Sequence, residues 1–178
     1  MNNMSKLLLT AAVGLILCGC LSVAQDRKSP HDTVSADLGG HRMTITYGRP
    51  YMHGRKIMGG LVPYGQVWRT GADEATTLET DATLDINGLK VPAGKYALFT
   101  VPTPNSWTLI VDKTAKQWGA FSYKGGATDL GRTEMRVSKS GPPVEQFTIT
   151  LTPAGGNAAT LKMEWEQTAA SVPVKLAQ

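Results

Sequence analysis

"ATLDINGLKVPAGKYALFTV", residues 82–101, decides the fold class. Asn87-Gly88 separates "ATLDI" from "LKV", and a two-residue Asn-Gly loop favours a type I′ hairpin because both residues tolerate positive φ. Pro92-Ala93-Gly94 then makes a second turn before the strand-forming run "YALFTV". Two turns so close together leave room only for short strands.

The same grammar extends outward. In "HRMTITYG" (41–48) Met43, Ile45 and Tyr47 alternate with Arg42, Thr44 and Thr46, the period of two of a half-buried strand. "ATLKMEWEQ" (159–167) sets Leu161, Met163 and Trp165 against Lys162, Glu164 and Glu166. A turn at 102–105 precedes "WTLIV", and Gly141-Pro142-Pro143 precedes "QFTITL". With "VSADL", "MRVS" and "VPVKL" the count reaches about nine or ten short strands, mostly antiparallel. No sustained helical period follows the N-terminal segment, and there is no internal repeat. The expectation is an all-β domain, a β-sandwich or jelly roll.

With 178 residues, 18% charged, 42% hydrophobic and rich in turn formers (19 Gly, 10 Pro), the chain is sized and composed for one folded domain. Residues 1–24 read as a signal peptide, with Lys6 ahead of the apolar run 7–17. Two processing readings compete. Leu17-Cys18-Gly19-Cys20 resembles a lipobox ending at an acylated Cys20, while Ser22-Val23-Ala24 suits an ordinary signal peptidase. Either predicts export, to the periplasm or to an outer membrane as a lipoprotein, since Leu21 does not resemble the aspartate that retains lipoproteins in an inner membrane. Residues 25–32, with Ser29-Pro30, read as a short tether, and 33–178 as the domain.

Both cysteines lie in the leader, so the domain itself has no thiol for catalysis, redox chemistry or metal ligation. Net charge is +4, and +3 once Lys6 is removed with the acid-free leader. So small and dispersed an excess predicts no nucleic-acid partner and no membrane contact other than the N-terminal lipid. Oligomeric state is left open.

Residues 48–76, "GRPYMHGRKIMGGLVPYGQVWRTGADEAT", break the alternation. Arg49, His53, Arg55, Arg69, Asp73 and Glu74 lie among Tyr51, Tyr64, Trp68 and five glycines between 54 and 71. Polar side chains on irregular loops above a rigid sheet are a common way to build a binding site. The succession "YGRP", "GRKIMGGLVPYGQVWRTGADEAT", "LKVPAGKYALFTVP", "WTLIVDK" and "QWGAFSY" resembles the bacterial domain-of-unknown-function family 2911 over roughly residues 29–175. That resemblance implies a β-rich, exported or lipid-anchored domain and no established activity. Members of the family often carry Asn in place of Asp73, which makes Glu74 the more dependable carboxylate.

The residues themselves support several readings. Arg49, Arg55 and Arg69 suit an anion, with Trp68 and Trp118 as stacking surfaces and Glu74 orienting the guanidinium groups. The same arginines suit structural pairing, for instance Arg69 with Glu74 across Gly71. Trp107 and Trp165 fall with apolar neighbours and belong to the core. Asp73 and Glu74, adjacent in an extended segment, point to opposite faces and make no ready acid and base pair; a glycosidase would need a second carboxylate, such as Asp112 or Asp129. His31, His41 or His53 could join Asp73 or Glu74 on a metal, His53 foremost, although none stands at a metal-motif spacing. The mature chain contains no G-x-S-x-G elbow, H-E-x-x-H, phosphate loop or dinucleotide fingerprint, and no cofactor is expected. The leading expectation is an envelope-attached binding or accessory domain for a small-molecule, carbohydrate or anionic ligand, its site in residues 49–76. The alternatives are a hydrolase acting on an envelope carbohydrate or anionic ester through His53 with Asp73 or Glu74, and a purely structural envelope protein.

Overall fold

The computed structural model describes residues 29–178. The signal peptide, its two candidate cleavage sites and Cys20 therefore lie outside the described residues. Nine strands follow in chain order: β1 (His31–Leu38), β2 (His41–Gly48), β3 (Thr76–Thr80), β4 (Leu84–Ile86), β5 (Leu89–Val91), β6 (Gly94–Pro102), β7 (Ser106–Asp112), β8 (Asp129–Pro153) and β9 (Ala158–Leu176). They make one antiparallel sheet in the order β1-β2-β3-β6-β7-β8-β9-β4-β5. The all-β expectation holds. The Asn87-Gly88 hairpin is present, with φ of 48° and 90° at the two turn residues and Leu84 to Ile86 paired with Leu89 to Val91.

Two pairs of segments that read as separate short strands are continuous, and one strand, β3, is not among the segments read from sequence, which brings the count to nine. "MRVS" and "QFTITL" are both parts of β8, and "ATLKMEWEQ" and "VPVKL" both parts of β9. Gly141-Pro142-Pro143 interrupts the ladder without ending the strand. Between Lys139 and Val144 β8 advances five residues while β9 moves only two, from Thr168 to Glu166. The excess puts β8 on the longer path around a bend, and the proline that lacks an N–H sits where no ladder bond is required. Glu166, at φ 55°, marks the bend on β9.

Bending folds the sheet over its own apolar face, so that β1, remote from β8 and β9 in strand order, lies against both. Trp107, Trp165, Phe147, Tyr47, Met43 and Ile45 are buried there in one core. Tyr47 locks the two halves together: its hydroxyl donates to the Ile149 carbonyl (3.4 Å) and accepts from the Ile149 amide (2.9 Å). Burial pushes the Tyr47 phenol pKa above its ordinary value.

The opposite face of β6 and β7 is also covered. Ala97, Phe99 and Ile110 point away from the main core and form a second cluster with Ala75, sheltered by Val67, Ala120 and Tyr123. Strands buried on both faces lose the polar half of their alternation, which is why "YALFTV" and "WTLIV" are nearly continuous apolar runs. The two covering loops, 65–75 and 113–128, carry most of the candidate site.

Asp112, at the end of β7, organises the second loop. It is fully buried and accepts hydrogen bonds from the Thr114 amide (2.8 Å), the Gln117 side-chain amide (2.8 Å) and the Thr128 hydroxyl. Asp129 is used similarly at the loop's far end, by the Tyr123 hydroxyl (2.8 Å) and by Arg132 (2.7 Å). Burial and the neighbouring Asp129 carboxylate push the Tyr123 phenol up to about 12. Both aspartates are engaged by the hydrogen bonds that hold the loop. Asp112→Ala strands three donors, and we expect it to lower unfolding stability by roughly 2–4 kcal/mol. An unchanged urea midpoint would show that apolar packing alone holds loop 113–128.

Candidate functional site

The site begins as an interruption of the sheet. Trp68 pairs with Thr100 on β6 through both backbone bonds (2.8 and 2.9 Å), and Thr76 resumes the same edge opposite Leu98. Residues 69–75 are thus expelled from the sheet as a loop. Its neck is closed by the Thr76 amide donating to the Arg69 carbonyl (3.2 Å) and by the Thr76 hydroxyl donating to the Thr70 carbonyl (2.6 Å).

The loop is held under strain. Thr70 and Asp73 have φ of 59° and 61°, left-handed values that are uncommon for any side chain and most unfavourable for a β-branched one. Thr70 is fully buried, its hydroxyl against that of Thr100 (3.1 Å). Ala72 donates to the Gly48 carbonyl (3.3 Å), and Ala75 donates to the Gln117 carbonyl (2.9 Å) beside a Glu74–Trp118 bridge. Gly48 is required for this approach, because a Cβ there would collide with the Ala72 backbone. The "YGRP" and "WRTGADEAT" stretches, separate in sequence, are two sides of one contact.

Around this loop the candidate residues divide. Arg49 is a structural clasp: it pairs with Asp32 (3.1 Å) and donates to the Phe147 carbonyl (3.2 Å) and the Thr148 hydroxyl (3.0 Å), tying the end of β2 to β8. Arg55 caps its own turn, donating to the carbonyls of Met52 (2.9 Å) and Tyr51 (2.6 Å). Trp68 is a core residue rather than a free stacking surface, lying nearly parallel to Trp165 at 5.9 Å and edge-on to Trp107 and Phe147. Trp107 and Trp165 are buried, as their alternation predicts. Trp118 is 60% exposed at a rim.

Arg69 and Glu74 do not pair. Among the described residues no ion pair joins Glu74 to Arg49, Arg55 or Arg69; the Glu74 carboxylate instead lies 3.1 Å from His31 Nε2. The expectation that Glu74 orients the arginines is corrected accordingly. Among the described residues Arg69 Nε is buried without a hydrogen-bond partner, and the guanidinium lies beside Gly119.

Two hollows flank the loop. One, of about 440 Å³, is lined by Arg69, Asp73, Tyr51, His53 and Arg55, with Trp68 and Trp165 also among its lining. The other, of about 500 Å³, is lined by His31, Glu74, Lys95, Lys116, Gln117 and Trp118. His53, bonded through its amide to Glu145 (2.9 Å), lines the hollow that Glu74 does not, so the His53–Glu74 proton-transfer pair is not assembled.

Asp73 departs from the sequence reading in another way. Its left-handed backbone cancels the opposite-face rule for neighbours, and one ligand atom each from His31, Asp73 and Glu74 falls within 4.8 Å of the others. His31, assigned to the tether by sequence, opens β1 opposite Gly48. Only this long-range pairing brings it to the site.

These observations define an all-β domain with its polar groups gathered on a strained loop between two hollows. A family model described as protein of unknown function (DUF2911) matches residues 29–174, and the chain belongs to that family. No curated protein and no solved structure matches it.

Gly48→Ala drives a methyl into the Ala72 backbone, and we expect a loss of about 1–3 kcal/mol in chemical denaturation. Gly126→Ala, where nothing lies within 4 Å of the added Cβ, should stay within about 0.5 kcal/mol. Equal midpoints for the two variants would remove the Gly48 contact from the account of the loop.

Proposed function

We propose that this domain is a binding or accessory module for a small ligand bearing a carboxylate or phosphate, seated in the hollow of Arg69. The observation that carries the reading is the Arg69 guanidinium: Nε is buried with no partner, beside a concavity of ligand size. A buried donor left unsatisfied is unfavourable, and an anion in the hollow would relieve it with a charge-assisted hydrogen bond once the Arg69 side chain turns toward it. Arg55, also in the lining, adds a second positive charge; among the described residues it is bonded to neutral carbonyls and not to an acid. Tyr51 and His53, their rings 5.5 Å apart, offer a tilted aromatic wall for the uncharged part of the ligand. Asp73, which lines the same hollow, disfavours a second anionic group nearby and favours a ligand with hydroxyls or amides beside its charge.

The test is thermal denaturation of the full-length chain against inorganic phosphate, a sugar phosphate and a uronic acid. At least one should raise the midpoint of the wild type and leave the Arg55→Gln/Arg69→Gln double variant unmoved. Equal shifts in both proteins, or none in the wild type, would sink the reading.

We further propose that the domain works in the cell envelope, attached through an acylated Cys20. The support is the Leu17-Cys18-Gly19-Cys20 sequence behind an apolar run. Mass analysis of the N-terminus should find a lipid-modified Cys20. A mature chain starting unmodified at Gln25 would replace the anchor by simple secretion.

A further inference from the structure

We propose that His31, Asp73 and Glu74 form a binding site for a divalent transition-metal ion, adjoining the anion hollow through Asp73 but resting on different observations. The three side chains come from the start of β1 and from the expelled loop, and each offers one ligand atom within 4.8 Å of the other two. Metal–nitrogen and metal–oxygen bonds of about 2.0–2.2 Å set neighbouring ligand atoms roughly 3 Å apart. His31 Nε2 and Glu74 Oε2, at 3.1 Å, already stand at that separation.

The donor chemistry selects the ion. An imidazole nitrogen with two carboxylates suits zinc, cobalt, nickel or iron, whereas calcium and magnesium prefer oxygen alone. A dication would balance the two carboxylates. Asp73 supplies the second observation: its Oδ2 is buried and, among the described residues, has no hydrogen-bond partner, so one carboxylate oxygen is withdrawn from water without a donor in return. A cation held between Asp73 and Glu74 would compensate it.

The frame is prepared. Asp73 is fixed in the left-handed region, Glu74 is bridged to Trp118, and the His31 backbone is paired with Gly48. The His31 and Glu74 side chains remain 23% and 40% exposed, so an ion can enter from the hollow lined by Lys95, Lys116 and Trp118. Three protein ligands leave at least one position for water or an exogenous ligand, the pattern of open rather than structural metal sites.

The experiment uses the full-length chain stripped with chelator, titrated calorimetrically with ZnCl₂ and followed by visible absorption with CoCl₂. We expect one equivalent per chain and a cobalt spectrum with nitrogen and oxygen ligation. His31→Ala and the near-isosteric Glu74→Gln should each weaken zinc binding at least tenfold, roughly the lower bound for losing even an outer-shell partner. His41→Ala and His53→Ala, which remove imidazoles outside the three ligands without changing a carboxylate or an arginine, should leave it unchanged. Circular dichroism checks folding, and Glu74→Gln decides the matter if His31→Ala is unfolded. No stoichiometric uptake by the wild type, retention in Glu74→Gln, or loss in His53→Ala would each overturn the proposal.

Discussion

The double burial of β6 and β7 governs how this protein is assembled. One face of these strands carries Leu98, Trp107 and Leu109 into the main core, and the other carries Ala97, Phe99 and Ile110 into the second cluster. A sheet that is apolar on both sides cannot leave its outer face to water, so the chain must supply a cover. It does so with irregular segments instead of a second layer of strands, and those segments are the loops that bear Arg69, Asp73, Glu74 and Trp118. The core thus determines the location of the polar groups: they are what the covering loops present outward once their apolar residues have been buried.

Irregular backbone in such a place needs internal satisfaction of its hydrogen bonds, and the loop at 69–75 obtains it from three directions. The Gly48 carbonyl, the Gln117 carbonyl and the Thr70–Thr76 pair each take part. Those bonds offset left-handed conformations at Thr70 and Asp73, each unfavourable by about 1–3 kcal/mol at most. Asp tolerates such backbone better than most residues, and so does Asn. Strain held by surrounding structure fixes side chains in position, which is of use to a ligand site and of no evident use to a surface loop.

The turns and the apolar runs were legible from sequence because their causes are local. Asn87-Gly88 needs only its own φ preferences, and "YALFTV" shows its double burial in its composition. What was hidden depends on distance. Gly141-Pro142-Pro143 has the composition of a turn, yet strand geometry resumes beyond it because β9 stays alongside across the bend. His31 looks like part of a polar tether until β1 pairs with β2, and nothing within ten residues of it announces Glu74. The neighbouring carboxylates misled for a different reason: alternation applies to extended backbone, and a single left-handed residue at Asp73 cancels it. Arg49 shows the reverse error, a conspicuous cation whose bonds to Asp32, Phe147 and Thr148 hold the seam between β2 and β8.

The division of the site follows from the same loop. Asp73 lines the hollow of Arg69 and Glu74 the hollow of His31, and the two residues are consecutive in the chain. Charge placed on one side is therefore felt on the other with little intervening solvent to screen it. A dication shared by Asp73 and Glu74 would withdraw negative charge from the wall facing Arg69 and raise the positive potential there. Anion binding beside Arg69 and cation binding at His31 then favour each other, and linkage makes that preference reciprocal. The adjacency of two carboxylates, of little value as a general acid and base pair, has its physical use in this arrangement: one backbone segment sets the electrostatics of both hollows.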